Sequence, residues 1–270
     1  MDKAVKVLGR VIKRYFSDGV ARSSAQLAYY LFFSMFPIMI LINAIISRFD
    51  VDVKFILSRF GNILPSEIID IMLDYIDYLG RIETPYIFFV ALFATLYALT
   101  RSFNSLLTSV RQAYRIKKAG AVNYMTAAVL SAVILLSFFA LSIILMGGEV
   151  AVANLENYIH IPESINAFLR LIKFVLLPVY MLLVLSGFYY IVPSRRFPFK
   201  NAMPGAVFAV VAVTAVTTLF SYYVSNFSNY SLLYGSLAAV MILMIWLQIV
   251  SSILILGGEL NDVLIEMNKD

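Results

Sequence analysis

Hydrophobic residues of this chain gather into six long runs, separated by shorter segments that hold almost all of the charges. The runs cover residues 27–47, 86–110, 124–146, 174–192, 202–224 and 233–258. Their lengths are close to the roughly 20 residues that a helix needs to cross a bilayer core about 30 Å thick. A membrane β-barrel would instead show alternating strands of about ten residues, so the pattern predicts six transmembrane helices.

The last two runs belong to one tract, residues 201–258, that contains no Asp, Glu, Lys or Arg. The tract is long enough for two crossings and a turn. Its polar but uncharged patch, residues 225–231, is the expected turn.

Composition supports the same interpretation. Hydrophobic residues make up 61% of the chain and charged residues 14%, whereas about a quarter of the residues of a globular protein are charged. We therefore expect one integral membrane domain over residues 1–270, in the all-α class. The chain has no Cys, which excludes disulfides, thiol nucleophiles and thiolate metal sites.

Basic residues predict the orientation of the chain. If both termini are cytoplasmic, the inner segments (1–26, 101–122, 193–201 and 259–270) hold fifteen Lys and Arg, and the outer segments hold six. Cytoplasmic loops of membrane proteins carry the excess of Lys and Arg. The expected location is thus the cell membrane, with several crossings and both termini inside.

Two further segments have the pattern of helices outside the bilayer core. Near the amino terminus Val5, Leu8, Ile12 and Phe16 recur at helical spacing between basic residues, as in a helix that lies on anionic lipid headgroups. A basic tail that only sets the topology would give a similar composition. The outer segment between the first two crossings, residues 48–85, contains an amphipathic pattern and predicts a helical loop.

Charges at the ends of crossings are the first candidates for function. Arg101 and Glu259 both fall at the predicted cytoplasmic edge, where they could pair. Alternatively, Arg101 extends to lipid phosphate and Glu259 is exposed to water. No carboxylate falls near a predicted midplane, which disfavours a proton-coupled or sodium-coupled pump.

Neutral polar and helix-loosening residues inside the crossings are the second set. Together with the charged candidates they define a possible polar seam across the membrane: Arg22, Tyr29, Ser34, Pro37, Asn43, Arg101, Asn104, Gln248, Glu259 and Asn261. An amphiphile that entered between the helices would place its headgroup near Arg22, Arg101 or Arg115 at the inner surface. The pattern predicts no catalytic residues, no metal site and no cofactor. In particular, no Gly-rich stretch precedes a Lys-Ser/Thr pair, so no nucleotide-binding loop is expected.

Motifs at the two ends of the chain resemble one known family. Residues 21–30 (Ala-Arg-Ser-Ser-Ala-Gln-Leu-Ala-Tyr-Tyr) and 33–37 (Phe-Ser-Met-Phe-Pro) are similar to the amino-terminal signature of the YihY/BrkB family of bacterial inner-membrane proteins. Residues 234–237, 246–248 and 257–261 (Gly-Gly-Glu-Leu-Asn) are similar to its carboxy-terminal block. The resemblance implies an inner-membrane protein of six helices. Members have been named virulence factor BrkB, for serum resistance, and ribonuclease BN, and some resemble factors of envelope lipid traffic.

Three functions are compatible with these features. We favour transport or translocation of a lipid, another amphiphile or a small solute, with anionic headgroups at the cytoplasmic face as partners. The alternative is a scaffold or serum-resistance factor that recruits an envelope protein without transport. A ribonuclease is disfavoured, because the single His, His160, falls in a predicted outer segment, and we expect no nucleic-acid partner. The oligomeric state cannot be predicted from these patterns.

Overall fold

The computed structural model describes residues 2–46, 69, 73–74, 85–116, 120–156, 163–193, 198–226 and 236–268. The longer of these ranges form seven α-helices and one 3-10 turn, Phe199–Asn201, with no strand among the described residues. The helices are α1 (Asp2–Ser17), α2 (Val20–Ile46), α3 (Pro85–Ala113), α4 (Gly120–Glu156), α5 (Glu163–Ile191), α6 (Met203–Asn226) and α7 (Ser236–Met267). The predicted all-α class is confirmed. It follows from the apolar runs, because a helix satisfies its own backbone polar groups where no water can do so.

Among the described residues, five helical segments are long and apolar enough to cross a membrane. They are Val20–Leu41, Phe88–Ala113, Asn123–Leu141, Phe199–Val224 and Leu237–Met267. The remaining predicted crossing falls on α5, whose apolar part among the described residues, Val175–Ile191, is shorter. A polytopic helical protein is therefore confirmed, while the count of six and the side on which each terminus lies stay predictions.

Two helices continue past their predicted ends. α7 runs through Gly257 and Gly258 to Met267, and α4 continues past its predicted end at residue 146 to Glu156. In α7 the glycines are packing positions rather than a helix end. A Cβ on Gly257 would lie 2.5 Å from the Tyr189 hydroxyl, and one on Gly258 would lie 2.9 Å from Val110.

Close packing of α3 against α2 rests on small side chains. Ala91, Thr95, Ser102, Ser105 and Ser109 are buried along α3 at intervals of three, four or seven residues, which place them on one face, and α2 is its most extensive neighbour. Small residues let two helix backbones approach closely in a membrane. On another side, the hydroxyls of α3 and α4 meet where the Thr100 Oγ1 lies 3.0 Å from the Ser131 Oγ.

The helix α1 folds back against α7 after a tight turn. Gly19 takes φ of 66° in that turn, a left-handed conformation that glycine adopts without strain. From α3 the Gln112 side chain donates to the Asp18 carbonyl oxygen at 3.2 Å, which holds the turn in place. The helix itself is present as the sequence pattern predicts, and its position on a membrane surface stays a prediction. The predicted helical loop over residues 48–85 lies almost entirely outside the described residues.

Candidate functional site

Three carboxylates near the end of α7 converge on one guanidinium from α1. Arg14 Nη1 lies 3.2 Å from the Glu259 carboxylate and 2.8 Å from that of Asp262, and Nη2 lies 2.8 Å from Glu266. The three acids occur at i, i+3 and i+7, so they share one face of the helix. The side chains of Arg14 and Glu259 are 9% and 1% exposed. We call this group the Arg14 cluster.

The electrostatics of the Arg14 cluster keep α1 attached to the helical bundle. Burial alone would lower the pKa of Arg14, but the hydrogen bond to Asp262 and the charges of Asp262, Glu266 and Glu259 raise it above its ordinary value. The guanidinium therefore stays charged while buried. Within the part of the chain that the structure describes, no three His, Cys, Asp or Glu side chains are arranged to hold a metal ion. The Arg14 cluster therefore serves to attach α1 to α7.

The predicted pairing of Arg101 with Glu259 is wrong, and so is the alternative of a water-exposed Glu259. Glu259 is buried and paired with Arg14, because α7 continues past it and turns it toward α1. Arg101 instead lies on the exposed face of α3, where its Nε donates to the Tyr97 hydroxyl at 3.2 Å.

Asn261 connects the end of α7 to the beginning of α6. Its Oδ1 accepts a hydrogen bond from the Gly205 N–H at 2.7 Å, and its Nδ2 donates to the Ala202 carbonyl oxygen at 3.1 Å. The first N–H groups of a helix have no partner within it, so Asn261 caps α6 from another helix. Tyr114 lies nearby; burial raises the pKa of its phenol, and a hydrogen bond to Asn261 opposes that shift.

Backbone contact between α6 and α7 accompanies this cap. A Cβ on Gly205 would overlap the Gly257 carbonyl oxygen, and it would lie 2.6 Å from the Asn261 side chain. Ala202, Ala206 and Ala209 are also buried, so the small residues of this crossing allow close helix contact. From α5, the Tyr189 hydroxyl donates to the Leu254 carbonyl oxygen at 2.6 Å. Helices α1, α3, α5 and α6 thus all meet α7 at the Gly-Gly-Glu-Leu-Asn segment.

An apolar groove of about 800 Å³ lies between α1, α6 and α7. Its lining includes Leu8, Val11, Ile12 and Phe16 of α1, Phe208 of α6, and Leu256, Leu260 and Leu264 of α7. Volumes of this size are typical of small-molecule sites. The lining can accommodate a hydrocarbon chain, and it offers almost nothing to a polar solute.

A second surface with distinctive chemistry surrounds Arg101. The guanidinium carbon lies 5.5 Å from the centre of the Tyr97 ring, and the phenols of Tyr30 and Tyr124 interact with its charge from α2 and α4. Tyr29 packs its ring edge to face with Tyr30 at 5.6 Å. We call these five residues the Arg101 face. It combines one fixed cation with four phenols at the surface of three membrane-length helices.

The structure divides the ten predicted seam residues among different places. Glu259 and Asn261 come together next to Arg14, and Tyr29 joins Arg101 on the Arg101 face. Of the others, Arg22 and Gln248 are exposed and Asn104 is half-buried. Ser34 is buried, and its hydroxyl donates to the Leu31 carbonyl oxygen. Pro37 lies inside α2, and the Asn43 side chain lies outside the described part of the chain. These positions form two clusters rather than one line of contacts.

Arg14 is the main residue that the sequence did not single out as a site. It belongs to the basic residues of an amphipathic helix, and four of those lie within nine positions. One feature of the sequence distinguishes Arg14 from Lys6, Arg10 and Lys13. On a helical projection of α1, Arg14 alone lies beside the residues that line the groove. Its partners are more than 240 residues away, so no local pattern could name them.

Comparison with protein families identifies the chain over nearly its whole length. The model of the family described as Virulence factor BrkB matches residues 11–270. The protein belongs to this family. The match spans α2 to α7 and the last seven residues of α1, so both the Arg14 cluster and the Arg101 face lie within the family region.

Individual relatives extend this picture without naming an activity for the chain. The ribonuclease-like protein YfkH of Bacillus subtilis is 26% identical over 265 residues, which cover 97% of this chain and 96% of that protein. A UPF0761 membrane protein of Vibrio cholerae is 29% identical over 124 residues, or 44% of this chain and 40% of the relative. One of Glaesserella parasuis is 28% identical over 145 residues, or 52% and 50%. No solved structure matches the chain.

Proposed function

We propose that this member of the BrkB family translocates an amphiphile with an anionic headgroup across or within the membrane. The observation that supports it is Arg101, an exposed arginine in a helix of membrane-spanning length. Ionisable residues in such helices are costly and mark substrate pathways more often than they serve packing.

The surroundings of Arg101 favour an oxyanion as its ligand. Tyr97 occupies the guanidinium Nε and contributes its ring, and among the described residues the two terminal nitrogens have no hydrogen-bond partner. A guanidinium presents a planar fork of donors that matches phosphate geometry. Tyr30 and Tyr124 lie in the electrostatic neighbourhood of the guanidinium, and their hydroxyls are further hydrogen-bond donors on this surface.

A tyrosine-rich surface also suits a molecule that is half lipid. Phenol rings prefer the boundary between hydrocarbon and water, with the ring in one and the hydroxyl in the other. Phe33 and Phe93, both exposed on α2 and α3, extend the apolar surface beside the tyrosines. An amphiphile could thus keep its chains in lipid while its headgroup contacts Arg101.

The test is reconstitution of the full chain into liposomes that carry a trace of fluorescent phosphatidylglycerol. Translocation is measured as the fraction of label that an impermeant quencher can reach. We expect the protein to accelerate it, Arg101→Gln to reduce the rate about tenfold, and Arg101→Lys to retain part of it because the charge remains. The matched control is Lys200→Gln, another exposed cation, which lies outside this surface.

Two results would overturn the proposal. The first is equal acceleration by the wild type and by Arg101→Gln. The second is no acceleration for anionic, zwitterionic or neutral lipids, together with co-purification of a stable envelope protein, which would support the scaffold function. The ribonuclease-like name belongs to the Bacillus subtilis relative, and the Arg101 face contains no His, Asp or Glu.

A further inference from the structure

The groove between α1, α6 and α7 is open along the apolar side of α1. Leu8, Ile12 and Phe16 line the groove and are 62%, 51% and 75% exposed. An apolar surface of this extent is costly in water and usually marks a site that another apolar body covers. The groove therefore has the properties of a site with an occupant.

The other two walls indicate where that occupant comes from. Phe208 lies in the candidate span Phe199–Val224, and Leu256 and Leu260 lie in Leu237–Met267. A groove built on two membrane-length helices borders hydrocarbon rather than water. Its side chains are aliphatic and aromatic, so they select an alkyl chain over a headgroup or a polar solute.

Charge on α1 selects the class of lipid. Lys6 and Lys13 are exposed, and at 100° per residue they lie within about 20° of each other and roughly 100° to 160° away from Leu8 and Ile12. A helix with this division lies at the lipid surface with its basic side among the headgroups. A phospholipid with one chain in the groove would carry its phosphate to the level of α1, where the long lysine side chains can reach it.

We propose that the groove holds an acyl chain of an anionic phospholipid, and that Lys6 and Lys13 of α1 contact its headgroup. This site lies on α1, α6 and α7, whereas the Arg101 face lies on α2, α3 and α4. The proposal therefore does not depend on translocation, and either one can fail without the other. A bound lipid would complete the packing between α1 and the bundle, next to the Arg14 cluster.

The direct test uses the unaltered chain in nanodiscs that contain phosphatidylglycerol with a photoactivatable group near the end of one acyl chain. After irradiation, lipid adducts are mapped by mass spectrometry. We expect adducts on residues 7–16 and 256–264 to exceed those on the exposed positions Val129 and Leu136 of α4 about tenfold, as a specific site predicts. Uniform labelling of all lipid-facing helices would overturn the proposal.

A variant series gives an independent readout. Val11→Trp fills the groove, and native mass spectrometry should then show about tenfold less retained phosphatidylglycerol than in the wild type. Val211→Trp, the same change at an exposed position of α6 outside the groove, should retain the wild-type amount. The double variant Lys6→Gln/Lys13→Gln should keep a bound lipid but reduce the preference for phosphatidylglycerol over phosphatidylcholine about tenfold.

Other occupants would give different results. If a helix of a second copy filled the groove, Val11→Trp would convert an oligomer to a monomer and leave lipid retention unchanged. If another protein filled it, the wild type would purify with that protein and without groove adducts. Either result would overturn the lipid proposal. The melting temperatures of Val11→Trp and Val211→Trp are compared as a check on folding. If they are equal, loss of lipid from Val11→Trp is due to the filled groove. If Val11→Trp does not fold, the map of lipid adducts on the wild type decides the question.

Discussion

At the scale of single residues, the contact between Gly205 and Gly257 sets the distance between α6 and α7. A Cβ on Gly205 would overlap the Gly257 carbonyl oxygen, and a Cβ on Gly257 would lie 2.9 Å from the Gly205 carbonyl oxygen. We predict that Gly205→Ala destabilises the protein by about 2 kcal/mol or more, because the overlap is with backbone that cannot rotate away. Thermal unfolding in detergent, followed by the fluorescence of the single tryptophan, Trp246, measures it.

Gly187 provides the matched control for that substitution. It lies inside α5, and a Cβ there would meet nothing within 4 Å. Gly187→Ala should leave stability unchanged or raise it by up to about 1 kcal/mol, since alanine restricts the unfolded chain. Equal melting temperatures for the two variants would mean that α6 and α7 can separate at little cost.

At the scale of elements, α1 is held to the bundle chiefly through Arg14. Removal of one partner from a buried ion pair costs about 3 kcal/mol, because the remaining charges stay buried without compensation. We predict that Arg14→Gln releases α1, which appears as faster amide hydrogen exchange over residues 5–16. Lys200→Gln, which removes an exposed cation outside α1, should exchange like the wild type.

A second substitution distinguishes loss of the ion pair from general damage. Glu259→Gln in the Arg14→Gln background removes the most buried of the unpaired carboxylates, so part of the protection of α1 should return. If the double variant exchanged faster than Arg14→Gln alone, the carboxylate would have a role other than pairing with Arg14.

The helices show which parts of the structure the sequence could predict. Apolar runs located five membrane-length helices, because burial in lipid acts on every residue of a run. The ends of α7 were predicted less well. Gly257 and Gly258 have the composition of a helix end, yet they allow contact with α6 and α3, and only the tertiary partners Gly205 and Val110 reveal this role.

The sites show the same limit. The sequence singled out Glu259, Asn261 and Arg101, since charge and amide groups beside apolar runs are conspicuous. The pair that it offered between Arg101 and Glu259 is wrong, and so is a water-exposed Glu259, because Glu259 is buried against Arg14. Arg14 is separated from Glu259 by 245 positions, and pairing over such a separation depends on how whole helices pack. The groove was likewise hidden, because its lining comes from three helices that are distant in the chain.

At the scale of the whole molecule, both proposed lipid sites depend on which way the helices cross. The anionic headgroup at Lys6 and Lys13 requires α1 at the cytoplasmic surface, where anionic lipids create a negative potential. The excess of basic residues in the predicted inner segments favours this orientation. An even number of crossings would put α1 and the end of α7 on the same side, as their contact through Arg14 requires.

Cysteine labelling can decide both orientation and number, since the natural chain contains no Cys. We predict that an impermeant maleimide added to intact spheroplasts labels Asp74→Cys but not Lys6→Cys or Asn268→Cys, all three being exposed positions. The two terminal variants should react only after permeabilisation. Labelling of Asn268→Cys without Lys6→Cys would mean an odd number of crossings, with α5 as the helix that fails to span. Labelling of both termini but not Asp74→Cys would reverse the orientation and place the basic side of α1 on the outer surface.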